Sequence, residues 1–121
     1  MSTGRQNSAL GAYGERVAER HLTDDGLVVL DRNWRCEAGE IDLVLRDGPV
    51  LVFCEVKTRS GTAYGHPLEA VDRVKIDRMV HLADRWIEEH DVVAPDVRFD
   101  VVAVLRSRRG AAEVEHVRGL G

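Results

Sequence analysis

GEIDLVLRDGPVLVFCEVKTR, residues Gly39 to Arg59, is the stretch that decides the fold. Two apolar runs, Ile41 to Leu45 and Val50 to Val56, flank Asp47-Gly48-Pro49, a turn signal that predicts a β-hairpin. Strand side chains alternate in direction, so Glu55 and Lys57 share one face of the second run, and Glu40 and Asp42 share one face of the first. If Asp47 faces Val50, counting back sets Asp42 opposite Glu55 and gathers both carboxylates and the lysine on one patch of sheet. Pro49 fits poorly at the second central position of most tight turns, and a slip of one residue would send the carboxylates to opposite faces.

Charges of this kind inside apolar strands are costly unless they serve one another or a ligand. Two carboxylates one strand spacing apart offer hard oxygen donors to Mg²⁺ or Mn²⁺, which can neutralise a scissile phosphate and acidify a bound water. A lysine two residues from the glutamate can orient the attacking water and offset charge building up in the transition state. The same residues also read as a cross-strand salt bridge on a solvated face.

The motif Gly39-Glu40-Ile41-Asp42-Leu43-Val44, followed by Phe53-Cys54-Glu55-Val56-Lys57-Thr58-Arg59, resembles the YraN family of bacterial proteins. That family is similar to Holliday-junction resolvases and the wider PD-(D/E)xK nuclease superfamily. The resemblance extends to Gly14-Glu15 with Ala18 and Leu22, to Tyr64-Gly65 with Pro67, Lys75 and Ala83, and to Arg98-Phe99-Asp100-Val101-Val102. It thus covers about Ala9 to Leu105 in one order. It implies a restriction-endonuclease-like α/β fold and a divalent-metal-dependent endodeoxyribonuclease, with Asp42, Glu55 and Lys57 as the core triad and Glu15 as a helix-borne acid and metal ligand. Ile41-Asp42 stands where the superfamily's name has Pro-Asp. The implied substrate is DNA, branched DNA included, and a resolvase, needing two active sites, would be a homodimer.

Bulk properties suit one small domain. A chain of 121 residues with 44% hydrophobic content is long enough for a single core and too short for two ordinary ones. Residues 1–7 are polar and expected to be mobile, leaving 8–121 as the domain. No charged start precedes an apolar run, and no stretch approaches the ~20 apolar residues of a membrane span, so the expectation is a cytoplasmic protein that avoids membranes. Cys36 and Cys54 are too few for a zinc cluster and are expected as free thiols. Lys and Arg number 17 against 21 Asp and Glu, which is unusual for a DNA-binding domain. An acidic metal site accounts for part of this, and Arg32, Arg35, Lys57, Arg59, Arg73, Lys75 and Arg78 flank that site in sequence. DNA affinity should therefore be modest and salt-sensitive.

Around the hairpin, a helix is expected from Ser8 to Asp24, with Leu10, Val17, Ala18 and Leu22 on one side and Gly26 ending it. Glu15 falls at the edge of that stripe and is placed to lean over the sheet. Leu27 to Leu30 reads as a first strand. It leads to Trp34, which packs or stacks on a base, and to Arg35, a candidate phosphate contact. Gly39 lets the backbone come near a ligand, and Glu40 is a further acid or an anchor for a basic side chain. Thr58 to Pro67 reads as a polar loop that offers Thr58 and Arg59 to nucleic acid, with His66 as a surface or capping residue. A second helix starts at Asp72 and runs to His90, with Ile76, Met79, Val80, Ala83, Trp86 and Ile87 inward and Lys75 near its start as a phosphate contact. After Pro95, Val97 to Leu105 suits an inner strand, Arg98 and Asp100 tie the sheet to a neighbour, Arg106 to Gly110 turns, and Glu113 to Val117 adds an edge strand. The expected order is αβββαβ. A non-catalytic nucleic-acid-binding or adaptor protein on the same fold, and a metal-dependent hydrolase of another substrate, are the competing functions.

Overall fold

The computed structural model describes residues 8–60, 72–93 and 96–120. The elements are α1 (Ser8–Asp24), β1 (Val28–Cys36), β2 (Gly39–Asp47), β3 (Val50–Ser60), α2 (Arg73–His90), β4 (Asp96–Arg106) and β5 (Glu113–Val117). The strands form one sheet in the order β1-β2-β3-β4-β5. The first three make an antiparallel meander, β3 and β4 run parallel, and β5 returns antiparallel at the edge. A parallel pair needs a crossover connection, and α2 lies within it. The result is the expected restriction-endonuclease-like α/β arrangement, with helices on both faces of a mixed sheet.

The hairpin register is the one counted from the turn, with Asp47 opposite Val50 and Leu43 opposite Cys54. Pro49 is tolerated because Gly48 takes φ 59° at the first central position, as in a type II′ turn. The second position of such a turn needs the negative φ that a proline ring supplies. Two apolar layers follow from alternation. Leu43, Leu45, Val52, Cys54, Val102 and Val104 pack beneath Ala18 and Leu22 of α1. Val44, Leu51 and Phe53 pack beneath Leu82, Ala83 and Trp86 of α2.

Helix α1 ends in a left-handed Gly26, whose N–H bonds Thr23 while that of Leu27 bonds Leu22, so an apolar pair seals the cap. Asp72 caps α2 by accepting the Lys75 N–H at 2.9 Å. Trp86 is buried, as expected, but Val80 is 39% exposed, and Leu82 takes the inward place instead. The helix presses only one stripe to the sheet, so the wider apolar set exceeds what it can bury.

Two expectations change in extent. The first strand runs to Cys36 rather than stopping at Leu30, with a register shift between Val29 and Asp31 that leaves Leu30 partly exposed. Thr58, Arg59 and Ser60 continue β3 rather than opening a loop. The rest of that loop, with Tyr64, His66 and Pro67, lies outside the described residues, as do residues 1–7. Asp100 is fully buried beneath the sheet. Arg98, His116 Nε2 at 2.8 Å and the Gly119 N–H all hold its carboxylate, tying β5 and the chain after it to β4. Cys36 and Cys54 are both free, and burial pushes the Cys54 thiol up, as suits an unreactive packing residue. No helix among the described residues is long and apolar enough to cross a membrane.

Candidate metal and phosphodiester site

Asp42, Glu55, Lys57 and Lys75 meet at the side of the sheet covered by α2. Asp42 stands on β2, Glu55 and Lys57 on β3, and Lys75 one turn into α2. Asp42 and Glu55 line a cleft with Glu40, Ile41, Phe53 and Leu82. The hairpin ladder runs from the turn to Leu43 and Cys54. At the next step the Asp42 side chain reaches across, and its Oδ2 accepts the Val56 N–H at 2.8 Å.

The two carboxylates are treated differently. Burial is the main cause that pushes the Asp42 carboxyl up to about 7; the Val56 hydrogen bond opposes it, and the charges of Glu15, Glu55 and Glu40 add to it. Glu55 accepts both Lys57 Nζ at 2.7 Å and Lys75 Nζ at 2.6 Å on one oxygen, Oε2. Burial raises its pKa, but the two ammonium groups outweigh that and hold it below the ordinary range. Burial likewise lowers Lys57, yet Glu55 wins and keeps it above the usual lysine value. Lys75 is drawn below that value by burial and by Lys57, against the pull of Glu55.

Glu15 approaches from α1 through an intermediary that sequence patterns did not single out. Asn33 Nδ2 donates to Glu15 Oε1 at 2.9 Å and to Glu40 Oε2 at 3.2 Å. Asn33 sits between the β1–β2 pairs Arg32↔Leu43 and Trp34↔Ile41, which sets it opposite Asp42, and its φ is 51°. Asn tolerates this left-handed conformation better than most residues. Here it leaves the strand's regular path and turns its amide to the acids. Close docking of α1 is what brings Glu15 near: Gly14 lies so tightly on Thr58 that a Cβ there would come within 2.8 Å of the Thr58 Cβ.

The remaining residues fall around this centre. Arg35 is 3.5 Å from Glu40, so Glu40 does anchor a basic side chain. Arg59 donates to the Thr58 carbonyl and stands exposed beyond Lys57 on β3. Lys75 is engaged with Glu55. Trp34 packs with the α2 layer and donates its Nε1 to Glu89, so it is a packing residue. Lys75 and Asn33 each reach the site through a contact between residues distant in sequence, Lys75 with Glu55 and Asn33 with Glu15.

Among the described residues, no three His, Cys, Asp or Glu side chains converge closely enough to hold an ion by themselves. Asp42 and Glu55 supply two carboxylates, and Glu15 and Glu40 lie near enough to raise Asp42.

The sequence pattern of the uncharacterised protein family UPF0102 matches residues 14–104. A UPF0102 protein of Beutenbergia cavernae is 63% identical over 117 residues, covering 97% of this chain and 99% of the relative. One from a Nocardioides species is 60% identical over 113 residues, covering 93% and 91%, and one from Frankia alni is 57% identical over 115, covering 95% and 96%.

Proposed function

We propose that this chain, which belongs to the uncharacterised protein family UPF0102, the YraN family of the sequence resemblance, is a divalent-metal-dependent endonuclease that hydrolyses phosphodiester bonds of DNA. The observation that carries this reading is Asp42: a carboxyl forced up to about 7 among Glu15, Glu40 and Glu55, in a cleft it shares with Glu55, whose other contacts are two lysines. Burial and the like charges around it favour the protonated form of such an acid, and a cation bound among the same carboxylates would offset the charges that hold its pKa up.

The donor set fits Mg²⁺ or Mn²⁺. Both ions favour oxygen ligands, and Mg²⁺ typically takes one or two carboxylates and keeps several waters, so Asp42 and Glu55 suffice, with Glu15 entering directly or through water. Such a metal supplies Lewis acidity and a more acidic bound water when present. The chain's own residues do the rest. The Val56 N–H fixes which oxygen of Asp42 is turned inward, Lys57 orients the attacking water and stabilises negative charge on the phosphoryl oxygens, and Arg35 and Arg59 border the path of a nucleic-acid backbone, whereas Thr58 packs under Gly14 of α1 and is withdrawn from that path.

The likeness to Holliday-junction resolvases and PD-(D/E)xK nucleases supports DNA as the substrate and branched DNA within it. A resolvase reading carries a homodimer, and a DNA substrate puts the protein in the cytoplasm. One observation favours a second reading, a non-catalytic nucleic-acid-binding or adaptor protein: Lys57 and Lys75 are already satisfied on Glu55, as structural ion pairs would be. Incubation with linear, single-stranded and four-way-junction DNA separates them. Cleavage that starts on addition of Mg²⁺ or Mn²⁺ is the result expected of the nuclease; a salt-sensitive gel shift in EDTA with no cleavage in either metal would favour the adaptor.

A further inference from the structure

Glu55 holds more positive charge than it can neutralise. Lys57 on β3 and Lys75 on α2 place their ammonium groups 2.7 and 2.6 Å from the same oxygen. One carboxylate balances one of them. The other is kept beside a like charge in a site where each lysine side chain is only about one quarter exposed. Lys75 is the one anchored from outside the sheet, on a flexible four-carbon stem that can swing between partners.

Resting on the metal-dependent reading above, we infer that Lys75 is a phosphodiester-binding residue held in reserve on Glu55. When a divalent cation takes up the Glu55 carboxylate, that oxygen's charge is shared with the cation, and the Lys75 ammonium passes to a phosphodiester oxygen. Cation and anion then bind as a linked pair, and each raises the other's affinity by the same factor. Without an anion, Lys75 competes with the cation for Glu55. The site thereby discriminates in favour of ligands that bring a phosphate together with the metal.

The test is calorimetric titration of the full chain with MnCl₂, alone and with saturating dimethyl phosphate, for the wild type, Lys75→Met and Lys75→Gln, each with a thermal melt to confirm folding. The wild type should bind Mn²⁺ about fivefold or more tightly when dimethyl phosphate is present, the low end of ordinary coupling between sites. Lys75→Met should bind Mn²⁺ alone at least as tightly as the wild type and should lose the enhancement; Lys75→Gln serves by the same criteria if the Met variant unfolds. Mn²⁺ binding that dimethyl phosphate leaves unchanged in the wild type, or an enhancement that survives loss of Lys75, overturns this inference and leaves the metal site standing. A wild type that binds no Mn²⁺ overturns the metal-dependent reading and this inference with it.

Discussion

The Val56 backbone N–H donates to Asp42 Oδ2 at 2.8 Å, just past Leu43 and Cys54, the last ladder pair of the β2–β3 hairpin. That bond turns a position where two carboxylates would simply face one another into one where Asp42 reaches under its neighbouring strand. It explains how an acid can be buried there and still have a partner. It also explains why relief by a second donor is scarce, since the surrounding groups Glu15, Glu40 and Glu55 are themselves acids.

Asp42 should make stability fall as pH rises. Its folded pKa of about 7 lies above its unfolded value of 3.8, so its contribution is complete below about pH 4 and is lost as pH climbs through 7. Glu55, shifted the other way, is ionised in both states above pH 5 and adds no slope there. Urea midpoints of the metal-free protein should drop between pH 5 and 8, by a stability on the order of a few kcal/mol, and Asp42→Asn should flatten the trend while keeping the Val56 bond. A wild-type profile as flat as the mutant's would show that Asp42 is not in the state described.

Lys57→Met should lower turnover by about two to three orders of magnitude with little change in DNA affinity, the usual cost of losing one electrostatic stabiliser. Lys75 remains on Glu55 at 2.6 Å, so the fold should survive. Full activity in the variant, measured as single-turnover cleavage, would reduce Lys57 to a salt-bridge partner.

Glu15→Gln keeps the helix and an oxygen that can accept from Asn33, so its melt should move by less than about 0.5 kcal/mol in stability. Loss of the charge should still raise the Mn²⁺ midpoint for cleavage. Asn33→Gly is the companion: glycine accepts the 51° φ, so the fold should hold, yet the tie between Glu15 and Glu40 is gone and the same midpoint should rise. An unchanged midpoint in both would remove Glu15 from the site.

Gly14→Ala tests how closely α1 must dock. The new Cβ would sit 2.8 Å from the Thr58 Cβ, a clash that no rotation of the Thr58 side chain relieves. Despite the better helix propensity of alanine, by roughly 1 kcal/mol, the overpacking should destabilise the protein by about 1–3 kcal/mol net, read from denaturant midpoints. A gain in stability would mean that α1 sits farther from β3.

What could be read from sequence was local. Alternation and the Asp47-Gly48-Pro49 turn were enough for the hairpin and its register, because period-two patterning ties each residue to a face and Gly48 could supply the one positive φ. Helical spacing placed Ala18, Leu22 and Trp86 inward. Asn33 was not legible, since the strand patterning stops at Leu30 and its role depends on a positive φ inside the longer β1. Lys75 looked like a free phosphate contact, because nothing in the α2 pattern says that its stem reaches back to Glu55 on β3. From sequence Arg98 and Asp100 tie the sheet to a neighbour; the structure adds their pairing with one another, and His116 and Gly119 reach Asp100 only through the return of β5 along β4.

The central claim is that Asp42 and Glu55 together hold a divalent cation, and calorimetric titration of Mn²⁺ into the wild type, Asp42→Asn and Glu55→Gln tests it most directly. The account predicts measurable wild-type binding that weakens as pH falls through about 7, and affinity at least tenfold lower in each variant, the lower bound of what losing a partner at a metal centre costs. Binding of equal strength in all three proteins, or none in the wild type at pH 8, would contradict it.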